Sequence, residues 1–168
     1  ELAELASRDP LTGLYNRRFL SVRLEEEFSK AVRYEMPLSL LIMDVDFFKR
    51  VNDTFGHQVG DNALIAVAKA LQASVRDSDL VGRYGGEEFV ILLPHTGLEK
   101  ALSVAEKIRQ AVSEMLIEGM GEKRITISIG AAGFPDIKVA NMEELVRKAD
   151  EALYRAKEGG RNQVVQAE

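Results

Sequence analysis

Arg83-Tyr84-Gly85-Gly86-Glu87-Glu88-Phe89 stands between Leu80-Val81 and Val90-Ile91-Leu92-Leu93. Two apolar, strand-like runs joined through a glycine pair predict a β-hairpin, because glycine reaches the positive φ that a tight hairpin turn demands. A plain hairpin has no need of two adjacent carboxylates at its tip, where the return strand enters a core. Successive strand side chains face opposite ways, so Glu87 and Glu88 are expected to do different jobs. Taken alone, the pair reads best as a solubilising tip. What overturns that reading lies upstream, at Asp44 and Asp46.

Working outward, Leu38 to Met43 is almost unbroken apolar sequence, as expected of a central strand buried on both faces, and it ends in Asp44-Val45-Asp46. Residues 47–60 read as a polar, glycine-punctuated connection. A helix is predicted from about Asp61, with Leu64, Val67, Ala68 and Leu71 on one face. Ahead of these, Ser7 to Leu14 is rich in turn formers. Asn16 can cap a helix striped by Leu20, Leu24, Phe28 and Val32, which Pro37 ends. Beyond the hairpin, Thr96-Gly97-Leu98-Glu99 has capping-box spacing and opens a helix striped by Leu98, Ala101, Ala105, Ile108 and Val112. Ile125, Ile127 and Ile129 alternate with Thr126, Ser128 and Gly130, which predicts a half-buried strand. Asn141 caps a last helix carrying Leu145, Ala149, Ala152, Leu153 and Ala156. Gly159-Gly160 stop it, and Gln163-Val164-Val165 returns as an edge strand.

From Leu38 the order is strand, helix, hairpin, helix, strand, then an appended helix and short strand. That is an α+β fold, an α/β sandwich of ferredoxin-like βαββαβ type, with helices packed on one side of a mainly antiparallel sheet. Its topology brings the end of the first strand beside the hairpin, so Asp44 and Glu87 converge.

The 168 residues suit one domain with a real core, at 46% hydrophobic and 29% charged composition. No apolar run approaches the roughly 20 residues that cross a bilayer, and no secretory signal opens the chain. Zero cysteines exclude disulfides and thiolate metal sites, and two histidines argue against a zinc enzyme. A net charge of −5 argues against a duplex nucleic-acid binder. Residues 1–6 are spaced like the end of an N-terminal signalling or linker helix, with the catalytic unit over 7–168 and a regulatory partner domain expected ahead of it.

Two strand-end carboxylates without a matched cation repel each other, at a cost that a divalent ion removes. The carbonyl of Val45, between two aspartates, can complete an oxygen shell. Asp44 and Asp46 share a face of a regular strand, so one can be a ligand and the other structural. A Mg²⁺ site ringed by cations usually serves a phosphoryl group. Lys49 lies just beyond the aspartates, and Lys157 and Arg161 stand four apart near the C-terminus. Each alone is more often a surface charge.

These residues resemble the GGDEF domain of diguanylate cyclases. The resemblance rests on Asp44-Val45-Asp46-Phe47-Phe48-Lys49, Asn52-Asp53-Thr54-Phe55-Gly56-His57, Gly60-Asp61 and Gly85-Gly86-Glu87-Glu88-Phe89. It extends to Asp9 through Arg18, Ala149 through Tyr154, and Lys157 through Asn162, in the right order over nearly the whole chain. It implies a nucleotidyl-cyclase palm that condenses two GTP into cyclic di-GMP, with two domains meeting face to face as a homodimer. By the same resemblance, Asp44, the Val45 carbonyl, Glu87 and in support Glu88 hold Mg²⁺, for which Mn²⁺ can substitute. Glu87 takes the 3′-hydroxyl proton, and Lys49 neutralises the transferred phosphate. Asn52 and Asp61 read guanine, with Phe48, His57 and Leu64 contributing to the pocket. Gly85 and Gly86 leave room for the nucleotide, and Lys157 and Arg161 hold phosphates. Arg76-Asp77-Ser78-Asp79, an Arg-x-x-Asp five residues before the glycine pair, matches the family's inhibitory product site. Lys107 stands where an arginine often helps bind product from a second domain, and lysine lacks that planar fork. Taken alone, Asp61 reads equally as a helix cap, Asn52 as a turn residue, and Arg76 to Asp79 as a charged turn. A cytoplasmic domain, without nucleic-acid or membrane contact, is expected.

Overall fold

The computed structural model describes residues 6–168, so the helix end expected over 1–6 lies, but for its last residue, outside the described residues. In chain order the elements are β1 (Tyr15–Asn16), α1 (Arg17–Arg33), β2 (Leu38–Val45), α2 (Phe48–Phe55), α3 (His57–Ala73) and β3 (Leu80–Gly85). They continue with β4 (Glu88–Pro94), α4 (Leu98–Glu114), β5 (Ile127–Phe134), α5 (Met142–Glu158) and β6 (Val164–Gln166). One sheet takes all the strands in the order β1-β3-β4-β2-β5-β6. The inner pairs are antiparallel, and the two outermost, β1 with β3 and β5 with β6, are parallel. The expected α+β architecture is present, with β2 at its centre.

Alternation along β2 divides the core. Leu41, Met43 and Val45 pack with Leu64, Val67 and Leu71 of α3 and Ala105, Ile108 and Val112 of α4. Leu38, Leu40 and Ile42 pack on the other face with Leu20, Leu24 and Phe28 of α1 and Leu145, Ala149 and Leu153 of α5. The two ferredoxin-type helices thus share one side, while the leading and appended helices cover the other. That second layer is why β5 is not half-buried as its alternation predicted. Ile127, Ser128, Ile129, Ala131 and Ala132 are all fully buried. Gly130 lets α5 lie directly on the strand, since a Cβ there would come within 2.2 Å of the Ala149 carbonyl oxygen.

Residues 48–60 are also not a loose connection. They form α2 and the start of α3, joined at Gly56 with φ +93°. Phe48, Val51 and Phe55 turn one face of α2 into the core, a 3-and-4 spacing masked by the polar residues between them. Asp61 therefore sits inside α3 and does not cap it. The α1 stripe runs through Ala31, 4% exposed, and leaves Val32 at 51%. The capping box at Thr96 does not form. Gly97 is the cap residue of α4, the Leu98 amide donates to Asp136 at 3.0 Å, and Thr96 turns inward to donate to the Pro94 carbonyl. Asn16 and Asn141 do cap their helices, accepting from the amides of Phe19 and Glu144 at 2.9 Å.

The hairpin closes through a two-residue loop, with Gly85 opposite Glu88 and Gly86 at φ +40°. Its tip is tied to the turn ahead of β1. Arg83 Nε donates to the Gly86 carbonyl at 3.0 Å, and its Nη1 donates to both Asp9 carboxylate oxygens at 3.2 Å. Asp9 also accepts from the Thr12 amide and hydroxyl at 2.9 and 2.7 Å. Burial alone would raise the Asp9 pKa, but the Thr12 and Arg83 hydrogen bonds outweigh it and hold the group below its ordinary 3.8. A lowered carboxylate contributes stability that is complete above the ordinary value and is lost as pH falls through the lowered one. Arg83→Met is therefore expected to cost about 1–3 kcal/mol at neutral pH. Urea melts from neutral pH down to about pH 3 should show its deficit against wild type narrowing at the acid end; a deficit independent of pH would mean that Arg83 acts through Gly86 alone.

Candidate active site

Strand register builds the site. Asp44 lies opposite Glu88 in β4, and the Val45 amide donates to the Glu87 carbonyl at 3.2 Å. The strand end and the hairpin tip, 43 residues apart from Asp44 to Glu87, are thereby direct neighbours.

Asp46 resolves the choice between the two aspartates. It is 6% exposed and accepts from Thr126 Oγ1 and Ser128 Oγ at 2.7 Å and from the Asn162 amide at 3.0 Å. Its oxygens are spent on structure. Asp44 is different: Lys157 Nζ donates to its Oδ2, while Oδ1 is buried with no hydrogen-bond partner among the described residues. Burial raises the Asp44 pKa, helped by the nearby Asp46 and opposed by Lys157 and Arg161. Burial likewise raises Glu88, with Asp150 and Asp44 adding to it and Lys157 and Arg17 opposing. Two under-compensated carboxylates and an unpartnered buried oxygen make a donor set that suits a hard divalent cation. Among the described residues no three carboxylate or imidazole side chains converge on one point, so the protein offers only part of an oxygen shell. Glu87 is half-buried, and its carboxylate has no hydrogen bond or ion pair among the described residues.

The cations are distributed unevenly. Lys157 is on Asp44, whereas the Arg161 guanidinium stands 4.7 Å from the Phe47 ring centroid. Lys49 reaches outward, its side chain 91% exposed and 3.4 Å from Asp53. Asn52 and Phe48 project from α2 onto Gly60, where an added Cβ would lie 1.9 Å from Asn52 Oδ1 and 3.3 Å from Phe48 Cζ. Gly60 is thus required by close approach, and it sets Asn52 against the turn of α3 that carries Asp61. His57 is exposed one turn earlier, while Leu64 is a core residue at 2% exposure. Nothing lies within 4 Å of a Cβ built on Gly85 or Gly86, so the space over the hairpin is open.

A second polar cluster sits between α3 and β3. The Arg76 amide and Nε donate to Asp79 Oδ2 at 2.8 and 3.2 Å, and Nη2 donates to Asp79 Oδ1 at 2.7 Å. The same Nη2 reaches the Pro94 carbonyl and Thr96 Oγ1 at 2.8 and 2.9 Å. Asp79 is 8% exposed, and its hydrogen bond raises the Arg76 pKa further. Arg8, Tyr15 and Gln72 line a cleft with this pair. Arg8, whose guanidinium is 4.0 Å from the Tyr15 ring centroid, carried no signal in sequence because it comes from a turn 68 residues upstream. Lys107 is exposed on α4.

The family described as "Diguanylate cyclase, GGDEF domain" matches residues 6–163. The response regulator PleD of Caulobacter vibrioides is 46% identical over 168 residues, covering 96% of this chain and 36% of PleD. The diguanylate cyclase DgcM of Escherichia coli is 44% identical over 167 residues, covering 99% of this chain and 40% of DgcM. The chain thus spans at most two fifths of the length of these two curated relatives. Among solved structures, the coiled coil and GGDEF domain of DgcB from Caulobacter crescentus, in complex with c-di-GMP, superposes with a TM-score of 0.92. It is 30% identical, over 99% of this chain and 88% of that one. The active GGEEF domain of a diguanylate cyclase from Vibrio cholerae gives a TM-score of 0.87 at 37% identity, over 91% of this chain and 97% of that one. With the match running from the turn at Ala6 to the edge strand, and the strand end and glycine hairpin at its centre, the chain belongs to the GGDEF family of diguanylate cyclase domains.

Proposed function

We propose that this domain condenses two GTP into cyclic di-GMP and releases two pyrophosphates, each of two facing domains carrying one GTP. The observation that carries the proposal is Asp44: a strand-end carboxylate set against the hairpin, with one oxygen on a lysine and the other buried and unpartnered.

Asp44, the Val45 carbonyl and Glu87, supported by Glu88, would hold Mg²⁺ or Mn²⁺, whose chemistry is to neutralise phosphate oxygens during in-line displacement. Glu87, free of other partners, accepts the 3′-hydroxyl proton. The 3′-oxygen then bonds to the α-phosphorus of the GTP on the facing domain, and the bond from that phosphorus to pyrophosphate breaks. The reciprocal step closes the ring. Lys157 holds Asp44 in the ligand-free chain and exchanges it for a phosphate oxygen, while Lys49 and Arg161 approach the same triphosphate. Guanine presents N1–H and N2–H₂ as donors and O6 as acceptor. Asp61 accepts from the donors, and Asn52, held over Gly60, serves either edge. Phe48 and His57 border the base, and Leu64 supports it from the core. A carboxylate at position 61 disfavours adenine, whose Watson–Crick edge offers no ring N–H.

Arg76 and Asp79 are proposed to bind product, with Lys107 contributing from another domain. The two are already paired with each other, so the product's guanine must displace Arg76 from Asp79 to reach the carboxylate. Inhibition is then weaker than a preformed, open pair would give.

Chromatography of the products from GTP and Mg²⁺ is expected to show cyclic di-GMP, with specific activity climbing as protein concentration rises. Glu87→Ala should abolish turnover and keep partial GTP binding. A rate independent of concentration down to monomeric protein would defeat the two-domain mechanism, and GTP binding without product at any concentration would favour a receptor role. For the product site, Arg76→Ala should keep progress curves linear to higher product levels. It should also lower the unfolding free energy by about 1–3 kcal/mol, since buried Asp79 loses its guanidinium and Thr96 Oγ1 its donor. Progress curves that bend as in wild type would remove Arg76 from product binding.

A further inference from the structure

Phe47 lies just past the end of β2 with φ +54° and ψ +33°, left-handed backbone that a bulky L-residue rarely adopts and that glycine takes without strain. The residue is 47% exposed. Two guanidiniums share its ring, Arg50 at 4.2 Å and Arg161 at 4.7 Å from the centroid. Arg161 is itself in left-handed backbone at φ +63°. Neither guanidinium forms a close ion pair or a side-chain hydrogen bond among the described residues, and Arg161 acts on Asp44 only through its field. Two like charges held against one ring repel each other. The π electrons of the ring offset part of that repulsion, and a polyanion within reach of both would offset the rest. Phe47 and Arg50 also line a cleft with Lys123, Arg124 and Thr126, where the one carboxylate, Asp46, is already saturated by its three donors. In a chain of net charge −5, this is an unpaired concentration of positive charge beside the strand-end aspartates.

We propose that Phe47 is the positioning residue of a phosphate clamp, its ring gathering Arg161 and Arg50 so that Arg50 becomes a second guanidinium for the terminal phosphates of the substrate and for the departing pyrophosphate. The proposal rests on the diguanylate cyclase reading for the identity of the anion. A strained phenylalanine is then accounted for by what its ring holds.

The test compares wild type with Phe47→Gly, Phe47→Tyr, Arg50→Ala, Arg161→Ala and the Phe47→Gly/Arg161→Ala double variant. Glycine suits the left-handed backbone, so loss of fold does not explain its effect. Titration calorimetry with magnesium pyrophosphate, KM and kcat for GTP, and the ¹⁵N-arginine Nε–H signals of the ligand-free protein are measured. Phe47→Gly and Arg50→Ala should each weaken pyrophosphate binding and raise KM about three- to tenfold, with kcat changed less. Phe47→Tyr should stay within about twofold of wild type. The ring-current shift of the Arg161 signal should vanish in Phe47→Gly, and the double variant should fall below Arg161→Ala by no more than Arg50→Ala falls below wild type. Wild-type pyrophosphate affinity in Phe47→Gly, or an unmoved Arg161 signal, would overturn the clamp. If wild type binds pyrophosphate with this variant pattern but forms no cyclic dinucleotide, the reaction falls and the clamp stands; if it binds neither GTP nor pyrophosphate, both fall.

Discussion

The buried carboxylate of Asp46 holds the functional end of the molecule together. It sits where β2 stops, and its three donors come from β5, from Thr126 just ahead of it and from the loop after α5. A carboxylate can accept several short hydrogen bonds at once, which a neutral side chain of the same size cannot. One residue therefore pins the central strand, the neighbouring strand and the Arg161–Asn162 turn to each other. Asp44 two residues earlier, Phe47 one residue later and Arg161 beside Asn162 all inherit their positions from it. Without Asp46, the fully buried Ser128 hydroxyl would lose its acceptor, and the backbone on either side of the site would lose a shared anchor.

With the frame fixed, the remaining side chains stand in electrostatic arrangements that serve the empty protein poorly. Burial pushes both Asp44 and Glu88 towards protonation, with Asp46 adding to it at Asp44 and Asp150 and Asp44 adding to it at Glu88, and with Lys157 as the principal opposing charge. Arg50 and Arg161 share a ring and form no close ion pair among the described residues. Folding alone would favour replacing these groups with neutral ones, and such local conflicts concentrate where function is carried. The two conflicts are of opposite sign and adjoin each other across Asp46. A phosphate chain with its cation would relieve both at once, which is why the acidic strand end and the basic turn make chemical sense as one site.

The architecture was legible because its signals were local: an apolar run at 38–43, a glycine hairpin, two asparagine caps and a helix ended by Gly159. The strand order that joins Asp44 to the hairpin followed from the sequence of elements. What misled were cases where a neighbour not visible in the window decided the outcome. Alternation at 125–130 could not report that α5 would lie on the second face of β5. The polar residues of 48–60 hid the buried stripe of Phe48, Val51 and Phe55. Thr96 had the spacing of a capping box, but Pro94 and Arg76 compete for its hydroxyl. Among candidate site residues, the motifs drew attention to Asp44, which the fold sets against the hairpin, and to Asn52, which it sets against the turn that carries Asp61. They could not say which strand-end aspartate was structural, that Lys157 would rest on Asp44, or that Phe47 would carry two arginines. Those facts depend on contacts across more than 70 residues of chain for Asp46 and on a single left-handed residue for Phe47.

The turn before β1 shows how far such long-range contacts reach. Arg8 and Asp9 are adjacent, yet they serve different ends of one strand pair. Asp9 holds Arg83 and, through it, the Gly86 carbonyl at the hairpin tip. Arg8 lies over Tyr15 in the cleft that contains Arg76 and Asp79. The segment is itself clipped to β1, with the Asn16 amide on the Ser7 carbonyl and the Asn16 side chain on the Ala6 carbonyl at 2.8 Å. A displacement of residues 6–9 therefore acts on the hairpin and on the Arg76 cleft together, because the same short turn is a wall of one and a brace of the other. Coupling between the hairpin and the Arg76 cleft does not require a path through the core; a rigid turn that touches both is sufficient.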